Sequence, residues 1–201
     1  MFWPDRMEQA LVTAHRIHSD QRRKGTGIPY LTHLMAVSAL VGEYGGDQDQ
    51  MIAALLHDSL EDRPERISRE KLTELFGWRV AHIVVGCSDC VCKPKPPWEP
   101  RKRAYLERVR HDDPSVKLVV TADKVHNTRA LVRDYRSVGE PMWLRFNADK
   151  HQQCWYLRSC VGALSQGWSH PILDAFEAVV SELELLVRAS TLSSQEARED
   201  A

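Results

Sequence analysis

The stretch Val116-Lys117-Leu118-Val119-Val120-Thr121-Ala122-Asp123-Lys124-Val125-His126-Asn127-Thr128-Arg129-Ala130-Leu131 decides the fold. Its first half is apolar and β-branched and, taken alone, reads as a buried strand. The second half continues without glycine or proline, so the whole reads as one long buried helix. Asp113-Pro114 just ahead is a helix start, with Asp as cap and Pro in the first turn. Alternating β-branched runs bounded by turn residues hardly occur elsewhere, and the expectation is an all-α domain.

Upstream, apolar groups at Met7, Ala10, Leu11, Ala14 and Ile17 mark a helix over about Asp5–Gln21. The basic, glycine-containing segment 22–27 reads as a loop, and Leu31–Tyr44 as a second helix closed by Gly45-Gly46. Asp47 fits as N-cap of a third helix running into His57-Asp58, and Arg63-Pro64 stops further extension. Ser68 caps a short helix to Phe76, Trp78–Val85 is a buried helical segment, and helical character returns over Glu99–Arg110. Between them Pro94, Pro96, Pro97 and Pro100 make 87–100 irregular. Gly139-Glu140-Pro141 punctuates the chain, followed by an aromatic-rich segment to about Leu164 and an amphipathic helix from Pro171 to about Arg188. Residues 190–201 are polar and aperiodic and are expected to be disordered, leaving 1–189 as one domain.

The 201 residues carry 27 Lys and Arg against 28 Asp and Glu, a net charge of −1. No global field therefore favours nucleic acid or membrane, and no apolar stretch approaches the ~20 residues of a membrane helix. Five cysteines, an odd number, and the lack of a basic-then-apolar amino terminus point to a reducing, cytoplasmic setting. Cys87, Cys90 and Cys92 have a spacing that could hold zinc, but no fourth ligand is evident. Trp143, Trp155, Tyr156 and Trp168 read as core or interface residues, and a homo-oligomer is left open.

The chemistry centres on Ala53-Ala54-Leu55-Leu56-His57-Asp58-Ser59-Leu60-Glu61-Asp62, where an apolar helix runs directly into four ionisable groups. Burying a charge is costly unless it is paired or bound to metal. On a continuous helix His57 would stack above Glu61 and Asp58 above Asp62. A divalent metal with an activated water accounts for all four. His57 and Asp58 supply two ligands of a mononuclear site, and Asp123, a carboxylate in the most apolar helix, is the best third. His33, near a helix start, fits a ligand or a hydrogen-bonded structural histidine equally well. Mixed His and carboxylate ligation suits Mn, Fe, Zn or, less well, Mg.

So many carboxylates on one ion would over-neutralise it, which leaves Glu61 and Asp62 to orient the water or take its proton. Asn127 follows Asp123 by one helical turn and can meet a substrate hydroxyl or phosphate. Arg22-Arg23-Lys24-Gly25 and the run Arg101, Lys102, Arg103, Arg108 and Arg110 are either solvated surface or collectors of a small polyanion.

The ordered set His33, His57-Asp58, Asp123 resembles the signature of the HD metal-dependent phosphohydrolases. Three stretches narrow the resemblance to the hydrolase domain of RelA/SpoT-homologue proteins: Gln21 to His33, Ala53 to Asp62, and Ala122 to Leu131. It spans about Met7 to Leu186 and implies an all-helical HD bundle around one metal. It further implies a stand-alone Mn2+-dependent hydrolase that removes the 3′-pyrophosphate of (p)ppGpp, giving GDP or GTP and pyrophosphate. By motif, His33, His57, Asp58 and Asp123 would hold the metal, and Glu61 and Asp62 would activate the water. Arg23 and Lys24 would border the base and its phosphates, Asn127 the ribose or 3′-phosphate, and Arg145 the 5′-phosphates.

The chain departs from the family at Arg63, where Thr is usual, at Lys124-Val125, where Arg-Leu is common, and in the 87–100 loop. Base preference therefore stays open, with (p)ppApp or NADPH, at its 2′-phosphate, as alternatives. A generic HD 5′-nucleotidase and a non-catalytic nucleotide-binding module are the remaining rivals.

Overall fold

In the computed structural model, which describes residues 4–90 and 94–199, the chain is built from helices. They are α1 (Pro4–His18), α2 (Leu31–Glu43), α3 (Gln48–Leu56), α4 (Ser59–Asp62), α5 (Arg69–Phe76), α6 (Trp78–Cys87), α7 (Trp98–His111), α8 (Pro114–Val138), α9 (Lys150–Leu164) and α10 (Pro171–Glu199). A 3-10 turn, Glu140–Arg145, links α8 to the segment before α9. No strand forms among the described residues, which carry one isolated bridge between Arg22 and Pro29.

The deciding stretch is helix throughout. The Asp113 carboxylate accepts from the Ser115 N–H at 2.8 Å, Pro114 opens α8, and the chain leaves it at Gly139 with φ +73°. Packed against α2, α3, α6 and α10, α8 is the axis of the bundle. Val116, Val119, Val120, Ala122 and Val125 are buried along it, each Val contributing roughly 1.5–3 kcal/mol. Lys117 is tolerated in this buried run because its ammonium caps two helix ends, donating to Arg110 O at 2.9 Å and Gln166 O at 2.6 Å.

Three boundaries differ from expectation. First, α1 ends at His18, and residues 21–30 fold back as an ordered turn held by Arg23 N–H to Ile28 O and Tyr30 N–H to Gln21 O. Second, the helix carrying the central motif is interrupted: α3 stops at Leu56, His57-Asp58 form a turn, and α4 is one further turn. The cause is local. The His57 Nδ1 lies 2.7 Å from Ala54 O, the carbonyl that the Asp58 N–H would use in a continuous helix.

Third, α10 runs to Glu199, through most of the segment expected to be disordered. Nothing after Pro171 breaks the helix, and Leu, Gln, Glu, Ala and Arg all favour it. Ser190 also ties it down, donating to Glu140 at 2.9 Å. Residues 200–201 of that segment lie outside the described residues.

Candidate metal centre and cleft

α2 carries His33, the α3–α4 turn carries His57 and Asp58, and α8 carries Asp123; packing brings all four together. His57 Nε2 lies 2.9 Å from Asp58 Oδ2 and 3.5 Å from Asp123 Oδ1. His33 Nε2 lies 3.6 Å and 3.2 Å from the same two oxygens. His33, His57 and Asp58 alone already satisfy the spacing of a metal-binding group.

The donor set fits a divalent cation on two grounds. Both Nε2 atoms are buried without a hydrogen-bond partner, which is costly unless something else uses their lone pairs. Metal–ligand bonds of about 2.0–2.2 Å set neighbouring ligand atoms about 3 Å apart, close to the observed spacing.

Each imidazole is oriented from behind. The Nδ1–H of His57 donates to Ala54 O, leaving Nε2 as the lone-pair side. His33 Nδ1 lies 2.8 Å from His126 Nδ1. Burial, the His33 ring and Arg23 lower the pKa of His126 to about 4, so it stays neutral; with His33 Nε2 bare, the proton sits on His33 Nδ1 and His126 Nδ1 is placed to accept it. The carboxylates are fixed too. The Tyr30 hydroxyl donates to Asp58 Oδ2 at 2.6 Å, while Asp123 accepts from Asn127 at 2.6 Å and Lys124 at 2.7 Å. Desolvation pushes Asp123 up, yet Lys124 and the two imidazoles hold its carboxyl well below the usual range. Desolvation opposes a proton on His57, but Asp58 and Asp123 together raise its pKa well above 6.5. A cation would take that proton's place.

Beside this centre opens a cleft of about 640 Å³ whose walls include Arg22, Arg23, Lys24, Lys102, Lys124 and Arg133 against Asp62 and Asp134. Arg23 donates to Asn127 Oδ1 at 2.6 Å, and Lys24 lies 5.6 Å from the centre of the Phe146 ring. Asn127 thus joins the cationic loop to Asp123. Of the α7 run, Lys102 faces the cleft, held at 2.7 Å by the half-buried Asp89, which also pairs with Arg101. Arg108 instead caps the end of α6 through Gly86 O and Ser88 O.

The structure separates the two acidic neighbours. Asp62 opens to the cleft and accepts from Gln21 Nε2 at 2.6 Å. Desolvation and the Asp58 carboxylate raise it to about 6, against the Gln21 hydrogen bond. Glu61 turns the other way, to Asp89 N–H at 2.8 Å and Lys95 at 2.7 Å. Arg145 lies behind the cationic loop. Its side chain crosses Gly25, which has φ +70° and no Cβ to obstruct it, and its guanidinium pairs with Asp134 at 3.1 Å.

Sequence reasoning missed Tyr30, His126 and Gln21. Tyr30 and His126 each stand three residues from a ligand candidate, the one available signal. The three-cysteine run is not a metal site among the described residues: Cys90 is disulfide-bonded, against expectation, and Cys92 lies outside them. Trp143 and Tyr156 are buried, as core residues should be.

Residues 10–141 match the family described as HD domain. The chain is 36% identical over 132 residues to the bifunctional (p)ppGpp synthase/hydrolase SpoT of Escherichia coli K12, covering 63% of this chain and 18% of that protein. It therefore spans less than a fifth of the length of that bacterial relative. Against the guanosine-3′,5′-bis(diphosphate) 3′-pyrophosphohydrolase MESH1 of Mus musculus the identity is 37% over 130 residues, covering 63% and 69%. Among solved structures, a metazoan orthologue of SpoT that hydrolyses ppGpp superposes with a TM-score of 0.71 at 25% identity, over 94% of this chain and 98% of that one. No helix among the described residues is long and apolar enough to cross a membrane.

Proposed function

The chain belongs to the HD domain family, and from that premise we propose that it hydrolyses the 3′-pyrophosphate of a guanosine alarmone, converting (p)ppGpp to GDP or GTP and pyrophosphate. The carrying observation is the set of four donor groups, with imidazole-to-carboxylate distances of 2.9–3.6 Å and two imidazole nitrogens without a hydrogen-bond partner, beside a cationic cleft. In this reading His33, His57, Asp58 and Asp123 hold one divalent cation, which we take to be Mn2+. When bound, it supplies a Lewis acid that acidifies water and neutralises phosphate charge.

The chain's own residues do the rest. Asp62, with its carboxyl near 6, is deprotonated at neutral pH yet basic enough to take the proton of the attacking water. Glu61 is the second residue we assign to that water; to orient it, its carboxylate leaves Lys95 and the Asp89 amide, which hold it in this structure. Arg23 and Lys24 meet the phosphates, and Asn127 meets the ribose or 3′-phosphate. Arg145 seats the cationic loop and joins the 5′-phosphate contacts by leaving Asp134. Residues 1–189 form the hydrolase domain, which acts in the cytoplasm on a small nucleotide, with no nucleic acid or membrane partner.

A second reading, (p)ppApp as substrate, is compatible with Gln153 on the cleft wall beside Leu131, Phe146 and Leu157. An amide presents a donor and an acceptor to either purine. A turnover panel of (p)ppGpp, (p)ppApp, NADPH and 5′-monophosphates, with product identification, separates the two. Pyrophosphate released from (p)ppGpp at the highest kcat/KM supports the first reading. Preference for 5′-monophosphates would make the chain a generic nucleotidase, and binding without turnover a regulatory module.

A further inference from the structure

Gln21 stands where the chain leaves α1, facing α4, and the roles assigned above do not use it. Its Nε2 donates to Asp62 Oδ2 at 2.6 Å, while its Oε1 accepts from Arg63 Nε at 3.1 Å and lies 2.7 Å from His18 Nδ1. The two ends of an amide are alike in shape, so their neighbours determine which end points where. Arg63 determines it here. A guanidinium N–H can only donate, so Oε1 must face it and Nε2 must face Asp62.

The rest of the network agrees. His18 must then carry its proton on Nδ1, with Nε2 bare, and the buried ring has no partner at Nε2. Burial lowers its pKa, against the Gln21 hydrogen bond, which keeps the ring neutral. Stacking on Tyr30, with ring centres 5.3 Å apart, fixes its plane. Arg63 is itself anchored by Asp20 at 3.0 Å.

We infer that Gln21, locked by Arg63 and His18, is a positioning residue that aims the Asp62 carboxylate, occupying Oδ2 and leaving Oδ1 for the proton of the attacking water. This rests on the reading that Asp62 is the proton acceptor. It also gives a role to Arg63, a residue at which this chain departs from its family's pattern. The other charged groups acting on Asp62 are Asp58 and Glu61, which raise its pKa, and Lys95, which lowers it. Loss of the Gln21 donor therefore moves Asp62 upward.

The test is pyrophosphate release from (p)ppGpp against pH for Gln21→Glu, Gln21→Ala and Arg63→Thr, with Asp62→Asn alongside and thermal melts to check folding. Gln21→Glu keeps the shape and sets a carboxylate against Asp62, so a merely steric role would tolerate it. The expected result is a kcat about tenfold lower at neutral pH, little change in KM, and an acid limb displaced to higher pH. Arg63→Thr should shift both in the same direction by less. Should Gln21→Glu unfold, Gln21→Ala carries the same comparison. Folded Gln21 variants with wild-type kcat and acid limb overturn the inference. If Asp62→Asn is inactive in that case, the assignment of Asp62 survives; if Asp62→Asn turns over normally, that assignment falls as well.

Discussion

At the floor of the cleft, His33 and His57 are buried, with rings fixed from behind by His126 and Ala54 O. At the rim, by contrast, Arg23, Lys102 and Arg145 are long side chains held by Asn127, Asp89 and Asp134. The floor is organised before any ligand arrives, and its Nε2 atoms face only the Asp58 and Asp123 carboxylates. Rim charges already have partners, which an anionic substrate must replace. Damage to the floor should therefore be all-or-none, and damage to the rim graded and sensitive to salt.

The largest effect tests the floor. His57→Ala or Asp123→Ala should abolish bound metal and lower turnover by on the order of 10³ or more, read from metal content and pyrophosphate release. His126→Ala removes a group that only orients His33 and should weaken metal binding by about 10–100-fold. If His126→Ala proved as severe as His57→Ala, His126 would itself be a ligand and the floor would be misdrawn.

Between floor and rim, Asp62→Asn should keep the metal and lose about 10²–10⁴ of kcat. Wild-type activity should fall on the acid side of about 6, the value of the Asp62 carboxyl without metal; a bound cation would draw the limb lower. At the rim, Arg23→Ala should raise KM by about tenfold with a smaller change in kcat, and the penalty should shrink as salt is added. A collapse of kcat instead would move Arg23 into the floor's class.

The smallest effect is on stability. Because folding raises the Asp62 carboxyl, the metal-free protein loses stability as pH rises from the ordinary carboxylate value through about 6. Asp62→Asn removes that loss, so its melting temperature should exceed wild type at pH 7 and match it near pH 4.

What the sequence revealed follows the same division. The α8 reading was legible because an apolar run continued past Asp123 without a breaker and began at a capped Asp113-Pro114. His57, Asp58 and Asp123 stood out because ionisable groups inside apolar helices are expensive. Gln21 and Tyr30 carried no such signal, being ordinary polar residues near a loop whose partners, Asp62 and Asp58, lie far along the chain. Glu61 and Asp62 looked equivalent on paper. Their difference comes from Gln21 on one side and the Asp89–Lys95 segment on the other, a tertiary fact. At the end of α10 the composition is polar and aperiodic, but nothing in it breaks a helix, and the helix runs to Glu199.

The central claim is that His33, His57, Asp58 and Asp123 hold one divalent cation on which removal of the 3′-pyrophosphate depends. Its most direct test titrates metal-free protein with Mn2+ while following release of pyrophosphate from (p)ppGpp, then adds chelator. One cation per chain is expected, with turnover rising in step with occupancy and both lost on chelation and in Asp123→Ala. Undiminished turnover in metal-free protein, or full occupancy with the nucleotide left intact, would contradict it.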